Sequence, residues 1–303
     1  MKIGLIGTGE LGKAIGSNML KAGHDLVVHD RRKEAADGLL DKGAAWAESP
    51  QQLAARVEFV LTALPTPAIV ETVLTAPDGV LAGLSPGRAW IDHSTNDGAV
   101  LEAIARKAAE QGIDVVEAPV TGGIPLAHAG EITVLVGAEP DAYRKYLPLL
   151  QIVGDPVIHL GPLGSASVVK VITNMLAFVH LWALGEGLML GKRAGLAVGP
   201  VFEAILASCA DSFVARTEGP PILNGSYDYG FTLELANKDL RLVHGLAGKF
   251  GVPLEMGGLV REIFKRAEGR YGPGFWSTGV VRLLEDELDT SLRAAGYSVE
   301  GRW

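Results

Sequence analysis

The chain has 303 residues, of which 48% are hydrophobic, 20% are charged and 39 are glycines. This composition excludes a disordered chain, and the length predicts two domains of ordinary size. The formal net charge of -8 at pH 7 argues against a nucleic-acid-binding surface, and the single cysteine, Cys209, excludes an intrachain disulfide and a multi-cysteine metal site.

The N-terminus carries only a short apolar run before a glycine-rich turn. It therefore lacks the long apolar core and the cleavage site that mark a signal peptide. A lone cysteine also fits a reducing compartment. From these features we expect a cytoplasmic protein that has no nucleic-acid partner and no metal.

A strand, a turn and a helix open the chain. Residues 2–6 have the pattern of a short buried strand, and the helical pattern after the turn runs to about Lys21, with Gly23 placed to end it. The turn consists of Gly7, Thr8, Gly9, Glu10, Leu11 and Gly12.

This turn has the spacing G-x-G-x-x-G, which is typical of dinucleotide sites. Gly7 permits the tight turn, Gly9 lets backbone approach a pyrophosphate, and Gly12 allows the helix to pack closely on the strand. A second strand over residues 26–29 leads to Asp30, whose carboxylate can accept hydrogen bonds from the adenosine ribose. We therefore predict a dinucleotide site; the alternative is a glycine turn without a ligand.

The residues after the second strand bear on the choice between NAD and NADP. Asp30 would repel the 2'-phosphate of NADP, whereas Arg31 and Arg32 could bind it. We predict NAD as the cofactor, with NADP possible. The alternative interpretation of the two arginines is a solvated loop before a helix over residues 33–41.

Strands and helices continue to alternate through the first half of the chain. Further strands are predicted over residues 57–64, 89–92, 113–116, 132–136 and 156–160, and helices from about residue 68 and over residues 97–111 and 141–150. The alternation predicts a parallel, doubly wound sheet, which is a Rossmann-type α/β architecture.

Two segments at strand ends are candidate binding elements. Thr95 follows the strand over residues 89–92, although its neighbourhood could equally serve as a helix N-cap formed by Asn96 or Asp97. The second segment, EAPVTGG, ends in Thr121, Gly122 and Gly123, and its two glycines allow backbone amides to converge on an anion such as a carboxylate.

A long apolar helix separates the two halves of the chain. It carries Lys170 and Asn174, whose spacing of i and i+4 places both side chains on one face. The segment from 168 to 190 is long enough to span a membrane, but its polar residues would be costly in a bilayer. We therefore predict a buried interdomain helix and no membrane partner. The alternative for Lys170 is a side chain that snorkels to solvent.

The second half of the chain has helical patterning throughout. Helices are predicted over residues 200–208, 233–250, 256–268 and 278–288. Lys238 and Asp239 lie between apolar positions of the second of these, and the alternative for them is a solvated ion pair. We expect a dinucleotide-binding domain over residues 1–162 and a helical domain over residues 163–303, with the substrate site at their interface. A helix that is apolar on several faces also favours a homodimer or homotetramer.

Four motifs in order, GLIGTGELG, EAPVTGG, GPLGSASVVKVITN and FTLELANKDL, resemble those of the β-hydroxyacid dehydrogenase family, especially 3-hydroxyisobutyrate dehydrogenases and tartronate semialdehyde reductases. The resemblance covers nearly the whole chain. It implies that Lys170 is the catalytic lysine. It implies that Asn174 and the Thr121 turn hold the substrate. The residues that would line the cofactor site are Leu64, Pro65, Thr95 and Lys238.

The chain departs from the family pattern at several positions. Thr121 stands where these enzymes usually have serine, and Thr173 stands where many have asparagine. His93 and Asn96 flank the pair Ser94-Thr95 where small or apolar residues are common. These differences concern the identity of the substrate more than the reaction.

The sequence thus predicts an oxidoreductase that moves a hydride between nicotinamide and a small β-hydroxy acid or its semialdehyde, with Lys170 as the general acid and base. One alternative is an imine or short-chain aldehyde reductase on the same fold, although imine reductases generally lack this lysine. The other alternative is a dinucleotide-binding regulatory protein without turnover.

Overall fold

The computed structural model of the chain describes residues 1–297. Contacts between Cα atoms divide the chain into two compact units, of which the first is Met1–Lys170 and the second begins at Val171. The division falls inside the long helix. The domain boundary predicted at residues 162 and 163 stays a prediction, and residues 298–303 of the predicted second domain lie outside the described part.

The first unit is built on a mixed β-sheet. Its strands are β1 (Lys2–Ile6), β2 (Asp25–His29), β3 (Ala45–Trp46), β4 (Phe59–Thr62), β5 (Ala89–Asp92), β6 (Asp114–Glu117), β7 (Val120–Thr121), β8 (Thr133–Gly137) and β9 (Val157–Gly161). Their order is β3-β2-β1-β4-β5-β6-β8-β7, and β9 pairs with β8. The strand order reverses direction at β1, which is where doubly wound sheets bind ligands outside the carboxyl ends of the strands.

The sheet is parallel from β3 to β6 but not beyond. β8 pairs antiparallel with β6 at Glu117 and Gly137, and it pairs antiparallel with β7, whereas β9 returns to a parallel pairing with β8. The prediction of a doubly wound sheet is confirmed for the parallel part. The alternation of strand and helix could not predict the reversal, because the short β7 has too few residues to show a period.

Helices cover the sheet of the first unit. They are α1 (Glu10–Lys21), α2 (Asp37–Leu40), α3 (Pro50–Ala54), α4 (Pro67–Thr75), α5 (Val80–Gly83), α6 (Gly98–Glu110), α7 (Ile124–Ala129) and α8 (Pro140–Val153). The predicted helix over residues 33–41 is instead a 3₁₀ turn, Lys33–Ala36, followed by the short α2. Asp97 is the N-cap of α6, since its side chain accepts a hydrogen bond from the backbone of Ala99.

The central strands β1, β4 and β5 of the first unit are buried on both faces. Leu5 belongs to one hydrophobic cluster and its neighbour Ile6 belongs to another, because successive side chains of a strand point to opposite faces. This double burial explains why the strands read as continuous apolar runs in the sequence.

The long helix α9 (Ser165–Arg193) contains residues of both units. By length and composition alone it could cross a bilayer. Its apolar residues have another explanation, because Phe178, Leu181 and Leu188 lie in the hydrophobic core of the second unit. Trp182 lies in the same core.

The second unit continues with helices α10 (Val198–Leu206), α11 (Phe213–Asn224), α12 (Leu233–Phe250), α13 (Glu255–Tyr271), a 3₁₀ turn (Ser277–Val281) and α14 (Arg282–Glu287). The helical character of this half is confirmed, and α12 has its predicted bounds. The helix α11 was not predicted, because it contains Pro220 and Pro221, which normally interrupt a helix. It forms nonetheless, with Ile222 and Leu223 fully buried in the core.

Candidate functional site

The glycine turn after β1 has the geometry that a dinucleotide requires. Gly7 has a φ of 92°, and a Cβ atom there would lie 2.3 Å from the carbonyl oxygen of Ala63. A Cβ atom at Gly12 would lie 1.9 Å from the carbonyl oxygen of Gly7. Gly9 is exposed and has no atom within 4 Å of its Cβ position. Packing therefore requires glycine at the first and third positions, and the second leaves open space for a pyrophosphate.

Asp30 lies beside this turn at the end of β2. Its Oδ2 accepts hydrogen bonds from the Thr8 backbone at 2.8 Å and the Thr8 hydroxyl at 3.2 Å, and its Oδ1 accepts one from the Arg32 backbone at 3.0 Å. Partial burial acts to raise the pKa of Asp30, but these hydrogen bonds outweigh it and the pKa is lowered. Asp30 is therefore ionised at neutral pH, and its remaining acceptor capacity suits a ribose hydroxyl.

The side chains of Glu10 and Leu11 have structural partners in the same turn. Glu10 forms an exposed ion pair with Lys13 at 3.1 Å, and Leu11 packs against the core of the first unit. Arg31 and Arg32 are exposed, as the loop interpretation requires. The role of these four residues toward a cofactor stays a prediction.

A buried aspartate organises the loops at the ends of β4 and β5. Asp92 Oδ1 accepts hydrogen bonds from the Thr62 hydroxyl at 2.8 Å and from the Ser94 backbone N–H at 3.0 Å. Its Oδ2 accepts a hydrogen bond from Asn96 Nδ2 at 3.0 Å. The Ser94 hydroxyl in turn accepts the backbone N–H of Leu64 at 2.9 Å. Burial raises the pKa of Asp92, although its hydrogen bonds oppose this rise.

This network fixes the two loops that carry the predicted cofactor residues Leu64, Pro65 and Thr95. Leu64 and Thr95 are partly buried, and Pro65 is exposed. Asp92 was not predicted as a site residue, although an acid at the end of an apolar strand is a recognisable signal. Asn96 was predicted only as a possible N-cap of the next helix; its side chain instead donates to the Asp92 carboxylate.

His93 connects the β5 loop to the EAPVTGG segment. Its Nδ1 lies 2.7 Å from the carbonyl oxygen of Ala118. Burial lowers the pKa of His93 to about 4, so the imidazole is neutral at physiological pH. Because a carbonyl can only accept, the neutral ring carries its proton on Nδ1. This bond accounts for the histidine that departs from the family pattern.

The predicted substrate turn follows Ala118. Thr121 belongs to the short strand β7, which corrects the prediction that a turn covers this residue, and α7 begins at Ile124. Gly122 has a φ of 131° and Gly123 has a φ of 94°. Residues that have a side chain rarely adopt such φ values, so this turn requires glycine at both positions.

Glu117, which the sequence analysis also missed, joins this segment to α9. Its Oε1 accepts the backbone N–H of Ala166 at 2.8 Å, and its Oε2 accepts the backbone N–H of Ser167 at 3.1 Å and the Ser167 hydroxyl at 2.6 Å. Burial raises the pKa of Glu117 in spite of these hydrogen bonds. A side chain that caps a helix from the distant β6 has no local sequence pattern.

Lys170 follows the capped turn of α9 and is 8% exposed. The alternative of a side chain that snorkels to solvent is therefore wrong. Burial of a charged amine is costly unless other groups compensate for the lost water. A lysine at this position therefore serves a purpose other than exposing its charge to solvent.

Asn174 is bound to a buried ion pair within the second unit. Its Nδ2 donates to Asp239 Oδ2 at 2.6 Å, and Asp239 Oδ1 lies 2.8 Å from Lys238 Nζ. The side chains of Lys238 and Asp239 are only 10% and 1% exposed, so the alternative of a solvated pair on an exposed face is wrong. Asp239 thus contacts both predicted site residues, although it was not itself predicted as one.

Two family profiles together match almost the whole chain. Residues 2–161 match the NAD-binding domain of 6-phosphogluconate dehydrogenase, and residues 164–284 match the NAD-binding domain of NADP-dependent 3-hydroxyisobutyrate dehydrogenase.

Curated relatives include 2-(hydroxymethyl)glutarate dehydrogenase of Eubacterium barkeri, which is 34% identical over 88% of each chain. The 3-hydroxyisobutyrate dehydrogenase of Pseudomonas aeruginosa is 32% identical over 86% of this chain and 90% of its own. Among solved structures, 3-hydroxyisobutyrate dehydrogenase of Mycobacterium tuberculosis with L-serine has a TM-score of 0.84 and 26% identity, and the match covers 93% of this chain and 98% of that one.

Proposed function

Since the chain belongs to the β-hydroxyacid dehydrogenase family and is an NAD(P)-dependent dehydrogenase that acts on small hydroxy acids, we propose that Lys170 is its general acid and base. The observation that carries this proposal is the burial of Lys170 near the first turn of α9. That turn donates hydrogen bonds to Glu117, and Glu117 ends the strand that leads to the predicted substrate turn. Lysine side chains are seldom this buried, and buried titratable groups are typical of active sites.

The proton chemistry of Lys170 follows from the direction of the reaction. Bound NAD(P) supplies the nicotinamide that accepts or donates the hydride. In the reducing direction the Lys170 ammonium polarises the carbonyl and donates a proton to the developing alkoxide. In the oxidising direction the neutral amine accepts the hydroxyl proton. The lysine must therefore change protonation state in each turnover.

The glycine turn and the neighbouring loops form the proposed cofactor site. The backbone of Gly7, Gly9 and Gly12 would hold the pyrophosphate, and Asp30 would accept from the adenosine ribose. Further contacts are proposed for Thr8, Glu10, Leu11, Arg31, Leu64, Pro65, Thr95 and Lys238. We propose NAD as the preferred cofactor, because the ionised Asp30 would repel the 2'-phosphate of NADP.

The substrate is proposed to be held by its carboxylate at Thr121, Gly122 and Gly123, with Asn174 as a further contact. The compounds named for the three relatives, 2-(hydroxymethyl)glutarate, 3-hydroxyisobutyrate and L-serine, all carry a hydroxyl group on the carbon β to a carboxylate. This shared chemistry supports a β-hydroxy acid or its semialdehyde as the substrate of this chain.

The two other functions are supported less well. An imine reductase would not need a buried lysine of this kind, and the solved imine reductase of Streptomyces aurantiacus, at 21% identity, is evidence for the fold alone. A regulatory protein without turnover would keep the glycine turn, but it would have no use for both Lys170 and the capped helix.

A substrate panel tests the proposed function. The purified chain is assayed with NAD and with NADP against 3-hydroxyisobutyrate, L-serine, 2-(hydroxymethyl)glutarate and the corresponding semialdehydes, with simple 2-hydroxy acids and cyclic imines as controls. We expect turnover of at least one β-hydroxy acid or its semialdehyde, with kcat/KM well above that of the controls. Turnover of imines alone, or no turnover with any compound, would contradict the proposal.

We also propose that the chain forms a homodimer or homotetramer through α9. Ile172, Leu176 and Leu190 are exposed apolar residues that whole turns of the helix separate, so they lie near one face. Such a face favours contact with another copy of the chain. Sedimentation velocity should give the mass of two or four chains. A cytoplasmic location is inferred from Cys209, which is a free thiol.

A further inference from the structure

Three hydrogen bonds connect the first turn of α9 to a strand about fifty residues earlier in the chain. The first N–H groups of a helix have no partner within the helix and require an acceptor. Here the acceptor is the Glu117 carboxylate, which takes the N–H groups of Ala166 and Ser167 and the Ser167 hydroxyl at 2.6 to 3.1 Å. Glu117 is 1% exposed, so these bonds are shielded from water.

The space that the carboxylate occupies is created by a glycine. Gly137 of β8 lies directly opposite Glu117 in the sheet. A Cβ atom at Gly137 would lie 1.9 Å from Glu117 Oε1. A side chain at position 137 would therefore displace the Glu117 carboxylate from its place at the end of α9.

The capped turn also lies next to Lys170 on the helix surface. Residues three apart in a helix are neighbours on one face, which is the relation between Ser167 and Lys170. In the other direction, β6 ends at Glu117 and the chain passes through Ala118 to Thr121. One carboxylate thus binds the helix that carries the proposed proton donor and starts the segment proposed to hold the substrate.

We propose that Glu117 is a positioning residue for the reaction: its carboxylate fixes the height and rotation of α9 and so holds Lys170 at the correct distance from the substrate turn. This inference rests on the proposed function of Lys170. Glu117 does not touch the substrate and acts only through the helix. Its importance follows from the steep dependence of proton transfer on geometry, because a displacement of about 1 Å can cost on the order of 10²-fold in rate.

Two variants test the inference at different strengths. Glu117→Gln leaves one acceptor oxygen and turns an amide N–H₂ toward a backbone donor, so at least one helix bond is lost. We expect kcat to fall about 10- to 100-fold, while KM for the nucleotide changes less than about twofold. Ser167→Ala removes the hydroxyl bond alone and keeps both backbone bonds. We expect a fall in kcat of a few-fold, and this variant carries the test if Glu117→Gln does not fold.

Glu285→Gln is the matched control for a general loss of stability. Glu285 is also a buried carboxylate with several donors, which include Tyr227, the backbone of Leu292 and Arg293. It belongs to the second unit, where it holds the segment after α14. We expect Glu285→Gln to lower Tm at least as much as Glu117→Gln, with kcat unchanged. If both variants lose kcat in proportion to Tm, Glu117 has no specific role.

A double-mutant cycle with Lys170→Met separates positioning from a merely structural effect. If Glu117 acts through Lys170, Glu117→Gln should change the residual kcat of Lys170→Met by less than about twofold, because the group that it positions is gone. The same fold-loss in both backgrounds, or wild-type kcat in Glu117→Gln and Ser167→Ala, would overturn the inference. Near-wild-type turnover in Lys170→Met alone would instead overturn the proposed function, so the two failures are distinguishable.

Discussion

The protein itself already supplies three donors to the Asp30 carboxylate, two from Thr8 and one from the backbone of Arg32. These bonds keep Asp30 ionised and hold it against the glycine turn. The position of the charge is therefore fixed before any nucleotide binds. Two exposed arginines follow it, so the choice of cofactor depends on which charge lies closer to the 2'-position of the ribose.

We predict that Asp30→Ala changes the choice of cofactor. Loss of the carboxylate removes the ribose acceptor and the repulsion of a 2'-phosphate, so kcat/KM with NAD should fall about 10-fold while the value with NADP is unchanged or higher. Asp25→Ala, at the exposed start of the same strand, is the control and should leave both values unchanged. A wild-type preference for NADP that Asp30→Ala does not alter would show that the arginines decide.

Glu218 is a buried acid that the proposed reaction does not use. It lies in α11, is 7% exposed, and burial raises its pKa to about 8. The folded chain therefore keeps the Glu218 proton up to about pH 8, whereas the unfolded chain releases it near the ordinary glutamate pKa of 4.5. The stability that comes from the protonated form is complete below the unfolded pKa and is lost as pH rises through the folded pKa.

We predict that Glu218→Gln, which stays neutral at every pH, removes this dependence. Relative to the variant, the wild type should lose up to about 1.4 kcal/mol of unfolding free energy per pH unit between the two pKa values. Urea unfolding of both chains at pH 5, 6.5 and 8 measures the difference. Curves that stay parallel across this range would mean that Glu218 is not protonated in the folded chain.

At the scale of elements, the substrate turn depends on backbone that only glycine adopts cheaply. We predict that Gly123→Val raises KM for the hydroxy acid at least about 10-fold and leaves KM for the nucleotide within about twofold, because the side chain forces the turn out of its positive φ. Steady-state kinetics with each substrate varied in turn measures both constants.

Gly130→Val is the matched control for this element. Gly130 ends α7, the helix that follows the turn, and also has a positive φ, of 74°. Backbone strain of the same kind, although smaller, is thus introduced outside the proposed anion site. The control should lose stability and keep KM for the acid. If both variants raise both constants equally, the turn does not bind the substrate carboxylate.

Elements with a clear period could be predicted from the sequence, and those without one could not. The buried strands β1 and β5 and the amphipathic α12 were predicted at their observed bounds, because burial imposes an apolar pattern on each. The strand β7 is too short for a pattern, and α11 contains prolines that local rules exclude from helices. Contacts with distant parts of the chain determine both.

At the scale of the whole molecule, the same distinction applies to the candidate site. The glycine turn, Lys170 and the substrate glycines have local motifs and were found in the sequence. Asp92 and Glu117 were not, because each acts through partners that the fold brings to it from elsewhere in the chain. The residues proposed to contact ligands therefore have local signals in the sequence, whereas Asp92 and Glu117 were recognised only from the contacts of the folded chain.

The central claim is that Lys170 transfers the proton, and turnover of Lys170→Met tests it most directly. Methionine keeps the length and the apolar stem, so the loss of packing is small, and a Tm measurement checks that the variant is folded. With the best β-hydroxy acid of the panel, kcat should fall by about 10² or more, while the Kd for the nucleotide changes little. Near-wild-type kcat in this folded variant would contradict the account, because Lys170 would then be structural.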